Sequence, residues 1–181
     1  MIKKDLFIID EVVEITLILF KNVTNTKEIL DTYNKISDKN KQSDTLDHFF
    51  LMLDGRLVFN EDHILHSIYR AYHNFKKNNK ITKNKILEIF YLLSPDENIN
   101  ECLNQYKMKE DSTCLIYIGL NVSNDEAQAF TDLIQGETTA FKDICSVRDE
   151  QQILKIFKCE HISNIEKYIY HNIASKKINL N

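Results

Sequence analysis

His63, His66, Arg70 and His73 recur at helical spacing within one short segment, and imidazoles on a common helical face can hold a transition metal. The set fits that role poorly. No acid stands at the spacing of an H-E-x-x-H site, and the Arg70 guanidinium would lie among the ligands and repel a cation. A polar or basic exposed helix face explains the four residues better, and a small enzyme using the histidines is the reading kept beside it. The carboxylate pairs Asp96-Glu97 and Asp125-Glu126 each fall in the first turn of an expected helix, where they complement the dipole without any catalytic role. Cys102, Cys114, Cys145 and Cys159 are widely spaced with no CxxC, so reduced core thiols of an intracellular protein are expected, and no metal. Gly55, Gly119 and Gly136 stand far apart, which excludes a Walker loop or dinucleotide fingerprint. There is no G-x-S-x-G elbow and no kinase signature. The residues offer surfaces and no reaction centre.

The elements that must carry those surfaces come from 181 residues, 43% hydrophobic, enough for one α+β domain with a sizeable core. No apolar run approaches the roughly 20 residues of a membrane-spanning helix. The start, MIKKDLFIIDE, lacks the features of a secretory signal. A net charge of −4 argues against wholesale nucleic-acid binding, yet the average hides an asymmetry. Between Ile68 and Leu87 there is no Asp or Glu, while Arg70, Lys76, Lys77, Lys80, Lys83 and Lys85 are all cationic. Such a strip suits a limited nucleic-acid or phosphate contact. A solvated helix face with no ligand accounts for the same charges.

Along the chain, EITLILFKNV predicts a strand buried on both faces. Asn25 with Glu28 predicts a capped helix burying Ile29, Leu30, Tyr33 and Ile36. Residues 37–44 are polar and are expected to form a mobile loop. HFFLML and RLVF, joined by Asp54-Gly55, predict two strands and a tight turn. Residues 61–77 predict an amphipathic helix. Thr82 is expected to cap the next helix, which Pro95 stops near Ser94. Asn98 with Glu101 restarts a helix at once, giving a rigid corner. TCLIYIGL predicts another buried strand. Ser123 with Glu126 caps a helix that Gly136 ends, ILKIFKC predicts a last strand, and Ser163 with Glu166 opens a C-terminal helix over 163–176. Strands scattered among helices, without Gly-rich turns between them, favour an α+β single domain over 1–181, a small sheet packed against several helices.

Four of these segments, in this order, resemble the PRPK-binding protein (TPRKB) family: ITLILFKNVTN, LLSPDENINECLNQYKM, DSTCLIYIGL and KIFKC. The first two carry its patterns LF-K-x-V-x-N and LSP-x-x-N-I-x-E, and the resemblance runs from about Glu14 to Ala174. It implies a non-catalytic α+β accessory subunit of the KEOPS complex, without a cofactor, cytoplasmic and nuclear. Such a subunit binds the small atypical kinase/ATPase of the complex and supports threonylcarbamoyl-adenosine modification of tRNA. By family analogy the kinase docks on the C-terminal helix and adjoining strand, at Ile156, Ile165, Tyr168, Ile169 and Ile173. For tRNA, the basic strip supplies Arg70, Lys76, Lys80 and Lys83. A protein-only adaptor without RNA contact is the alternative. Two departures stand out. Lys83 replaces the family's arginine and keeps the charge without the planar fork, and Tyr106-Lys107-Met108 replaces a glycine-containing helix end. Lys107 is therefore expected either to turn left-handed or to end the helix differently.

Overall fold

β-Branched and large apolar side chains fill Ile15 to Phe20, and every one of these residues is 4% exposed or less, as a strand covered on both faces requires. The computed structural model describes residues 1–40 and 48–176, and the side chains of all of these except 37–40. The chain runs β1 (Ile2–Ile8), β2 (Glu11–Lys21), α1 (Thr26–Asn40), β3 (Phe49–Asp54), α2 (Glu61–Lys76), α3 (Lys85–Leu93), α4 (Ile99–Tyr106), β4 (Leu115–Leu120), α5 (Asn124–Thr131), β5 (Glu137–Thr139), α6 (Glu150–Ile156) and α7 (Ile162–Ser175). The class is α+β, as expected. The chain divides into two compact units, Met1–Gly55 with Lys107–Asp143 and Arg56–Tyr106 with Ile144–Asn181.

The first unit is built on an antiparallel sheet of order β1-β2-β4-β3. β1 and β5 follow one another along one side of β2, which leaves β4 the other side. Ile29 of α1 and Ala127 and Phe130 of α5 pack on Ile18, Phe20, Met52, Leu115 and Tyr117, with Tyr33 and Phe50 closing the cluster. The Ser123/Glu126 capping box forms as expected: the hydroxyl accepts from the Glu126 amide while the carboxylate takes the Ser123 N–H.

Four expectations for this unit are corrected, and one strand was not anticipated. Residues 37–40 continue α1 where a loop over 37–44 was expected, and residues 41–44 lie outside the described residues. The N-terminal residues form β1, an edge strand that the mixed pattern IKKDLFI does not announce. Asn25 does not make the reciprocal cap. Its side chain instead takes the Gln135 N–H at 2.9 Å and donates to the Leu133 carbonyl at 2.8 Å. Gly55 ends no hairpin, because β3 pairs with β4 and the chain then enters a 3₁₀ turn, Gly55–Leu57, so RLVF is not a strand. Gly136 does not have the left-handed backbone of a helix terminator. It permits close packing: a Cβ there would lie 2.9 Å from Val23 Cγ2 and 3.0 Å from the Lys21 carbonyl oxygen.

Lys107 resolves the second departure within the same unit. Its φ is not positive, and it makes a single antiparallel bridge to Leu53, so extended backbone follows Tyr106 without a glycine.

The second unit is helical. Ile153 and Phe157 face Ile165, Ile169 and Ile173 in one apolar cluster, with Leu57 and Phe59 against it. The expected strand ILKIFKC is therefore largely helix α6. Ile153 and Phe157 stand four residues apart, which is helical period, and Asp149 caps the start by accepting from the Gln152 N–H at 2.9 Å. Three caps also differ from expectation. Asn84, not Thr82, caps α3 through the Leu87 N–H. Asn98 accepts from the Asn100 N–H, while its own N–H goes to Asp96 Oδ1 and not to Glu101. α7 starts after His161 with no side-chain cap, so Ser163 lies inside its first turn. The proline corner itself is present, with α3 ending at Leu93 and Ser94 extended.

Candidate partner and nucleic-acid surfaces

The histidine set does not share one surface. His63 is fully buried, accepting the Phe59 N–H on Nδ1 at 3.3 Å and donating from Nε2 to the Leu93 carbonyl at 2.9 Å. Burial holds its conjugate acid down at about 4, with His66 adding to the effect and the Leu93 carbonyl opposing it. His66 is exposed and stacks on Tyr170 at 4.7 Å between ring centres, and His73 stacks on Tyr69 at 6.3 Å. The expected common face is corrected on this point, since His63 faces the core. Among the described residues no three His, Cys, Asp or Glu side chains are grouped to hold a metal. Cys102, Cys114 and Cys159 are buried, but Cys145 is exposed and is not the core thiol expected. No helix among the described residues is long and apolar enough to cross a membrane.

The basic strip is split between structural and solvent-facing cations. Arg70 donates from Nε to Asn74 Oδ1 at 3.0 Å and from Nη1 to the Ala174 carbonyl at 3.2 Å, so it closes the last turn of α7. Lys76, Lys80 and Lys83 are exposed, with the Lys80 ammonium over the Phe75 ring at 5.1 Å. Beneath them lies Glu88, fully buried. Its carboxylate accepts from Asn74 Nδ2 at 2.9 Å, from the Thr82 N–H and hydroxyl at 2.8 Å each, and from the Ile81 N–H at 3.2 Å. One buried anion therefore shapes the loop that presents Lys80 and Lys83. Sequence reading missed it because Glu88, one residue beyond the acid-free stretch, looks like an ordinary first-turn helix acid.

The residues expected to dock the kinase fall into two sets. Ile165, Ile169 and Ile173 are 0%, 0% and 4% exposed and form the unit's own core, and Ile156 is half-buried against them. Tyr168 is 49% exposed, and Ile162 on the same helix 39%. α7 thus buries one narrow stripe and turns a broad face to solvent.

The proline corner is tied to the end of α7. Asn172 Nδ2 donates to the Ser94 carbonyl at 3.0 Å, and Lys176 Nζ donates to the Ser94 and Tyr91 carbonyls. The Lys176 ammonium lies 3.8 Å from the centre of the Tyr91 ring, and burial lowers it to about 8.

A scan against family models matches residues 20–177 to the family described as "Kinase binding protein CGI-121". The chain belongs to that family, in agreement with the resemblance to PRPK-binding proteins. Among curated proteins it is similar to the "EKC/KEOPS complex subunit CGI121" of Eremothecium gossypii, 26% identical over 86% of this chain and 88% of that one. Proteins of the same name from Candida glabrata and Candida albicans are 28% and 29% identical, over 68% and 70% of this chain and 65% and 62% of theirs.

Proposed function

We propose that this chain is a non-catalytic KEOPS accessory subunit, cytoplasmic and nuclear, that binds the small atypical kinase/ATPase of the complex and supports threonylcarbamoyl-adenosine modification of tRNA. The family match over residues 20–177 carries this reading. Kinase docking is assigned to the outer face of α7 about Tyr168, with Ile156, Ile165, Ile169 and Ile173 as the apolar layer that fixes the helix. The tRNA contact is assigned to Lys76, Lys80 and Lys83, with Arg70 as a contributor.

Co-purification with the kinase subunit tests the first assignment. Tyr168→Glu should release the kinase and leave thermal unfolding cooperative, and undiminished capture would reject this face. Reconstituted tRNA modification should fall when the subunit is omitted, and an unaffected rate would reject the supporting role. Lys80→Ala/Lys83→Ala should weaken tRNA binding, and the wild-type affinity should drop steeply with salt. A protein-only adaptor is the second reading. It is favoured by Arg70, whose guanidinium is engaged with Asn74 and Ala174. Wild-type affinity in the double variant at low salt would establish it.

A further inference from the structure

The β1–β2 hairpin breaks three local rules at one end. Phe7, Ile9 and Val12 are 75%, 53% and 51% exposed, and Phe7 stands directly opposite Val12 on the solvent face. Ile9 takes the left-handed backbone, with φ of 61°, in the tight turn between the strands. That conformation is costly for a β-branched residue and is ordinarily left to Gly or Asn. Asp5 and Glu14, the next outward pair, are like charges set directly across from one another, a destabilising arrangement in an antiparallel ladder. Lys3 reaches Glu14 at 3.0 Å and offsets only part of that charge. On the face of Phe7 and Val12 the charged strand residues are Asp5 and Glu14 against Lys3, and residues 1–14 as a whole carry Asp5, Asp10, Glu11 and Glu14 against Lys3 and Lys4.

An apolar pair framed by carboxylates is complementary to an apolar side chain framed by cations. We propose that the outward end of this hairpin docks a partner-protein segment in which a large apolar side chain is flanked by lysines or arginines. Charge decides among the occupants. A second copy of the same end would bring like charges together, and an anionic lipid surface or a nucleic acid would be repelled by the same carboxylates. The proposal does not rest on the KEOPS reading, because β1 and the turn precede the residues that match the family.

The test is a titration of the full-length, isotope-labelled chain with a synthetic peptide carrying Leu-Phe between arginines and lysines. The same peptide with glutamates in place of the cations is the control. Amide shifts centred on Asp5, Phe7, Val12 and Glu14 are expected for the basic peptide alone. Its affinity should weaken about tenfold in Asp5→Lys and in Phe7→Ser, and should fall with added salt. Asp5→Lys alters an exposed side chain, so it keeps the test valid should Phe7→Ser unfold the hairpin. Equal binding of the acidic peptide, shifts located elsewhere, or no shifts at about 1 mM peptide would overturn the proposal. So would sedimentation showing a dimer abolished by Phe7→Ser, or Phe7-dependent binding to phosphatidylserine vesicles.

Discussion

The ammonium of Lys176 donates a 2.6 Å hydrogen bond to the carbonyl oxygen of Ser94, the residue before the only proline of the chain. Asn172 donates to the same oxygen, and Lys176 also reaches the Tyr91 carbonyl in the last turn of α3. A helix end needs partners for its last carbonyls, and Pro95 prevents the next residues from supplying them helically. Side chains from the end of α7 do so instead. Asn172→Ala with Lys176→Met should therefore cost about 2 kcal/mol by urea unfolding and speed hydrogen exchange in the last turn of α7. Unchanged exchange would mean that the tie contributes nothing to holding the corner.

Glu88 supports the basic loop from below by accepting hydrogen bonds from Asn74, Ile81 and Thr82. Glu88→Gln keeps the shape but places an amide donor among groups that are themselves donors. A cost of about 3 kcal/mol in denaturant unfolding is expected. The amides of Ile81 and Thr82 should lose exchange protection together.

The buried strands were legible because their residue types are one-sided. Ile15 to Phe20 and Leu115 to Leu120 offer no polar face, so only a doubly covered strand accommodates them. The Ser123/Glu126 cap was legible for the opposite reason, since both halves of its chemistry lie within four residues. What failed was decided by groups distant in sequence. Asn25 could have capped α1 in the reciprocal manner, but Gln135 and Leu133 compete for its amide. Thr82 was expected to cap α3, but the helix begins only at Lys85, where Asn84 accepts the Leu87 N–H, and Thr82 is turned to Glu88 instead. The ILKIFKC run has the composition of a strand, and helical burial of Ile153 and Phe157 overrides it. Of the surfaces, the basic strip was legible as charge, but the engagement of Arg70 with Asn74 and Ala174 was not. The isoleucine stripe of α7 was legible as periodicity, yet periodicity alone does not separate an isoleucine buried by its own unit from one awaiting a partner.

Gly136 offers a test of close packing. A methyl group there would meet Val23 Cγ2 and the Lys21 carbonyl at separations that side chains rarely tolerate. One obstacle is backbone of β2, which cannot swing aside as a flexible side chain can. Gly136→Ala should destabilise the protein by about 2 kcal/mol. Were the glycine instead a left-handed helix terminator, Gly136→Asn would be tolerated, so both variants unfolding early in a thermal scan is the expected result.

His63 sets an acid limit on stability. Its imidazole is neutral in the fold with a value of about 4, against 6.5 for an exposed histidine. The unfolded chain therefore binds the proton first as pH falls. The stability contributed by the neutral ring is fully present above about 6.5 and is lost progressively as pH drops towards 4. The full loss amounts to about 3 kcal/mol. Chemical denaturation followed between pH 7 and 4 should show this decline. His63→Gln keeps a carbonyl for the Phe59 N–H and an amide donor for Leu93, and titrates nowhere in the range. It should start less stable at pH 7 because the ring packing against Tyr106 and Phe157 is gone, and then decline less steeply. Parallel slopes in the two proteins would assign the acid sensitivity to other groups.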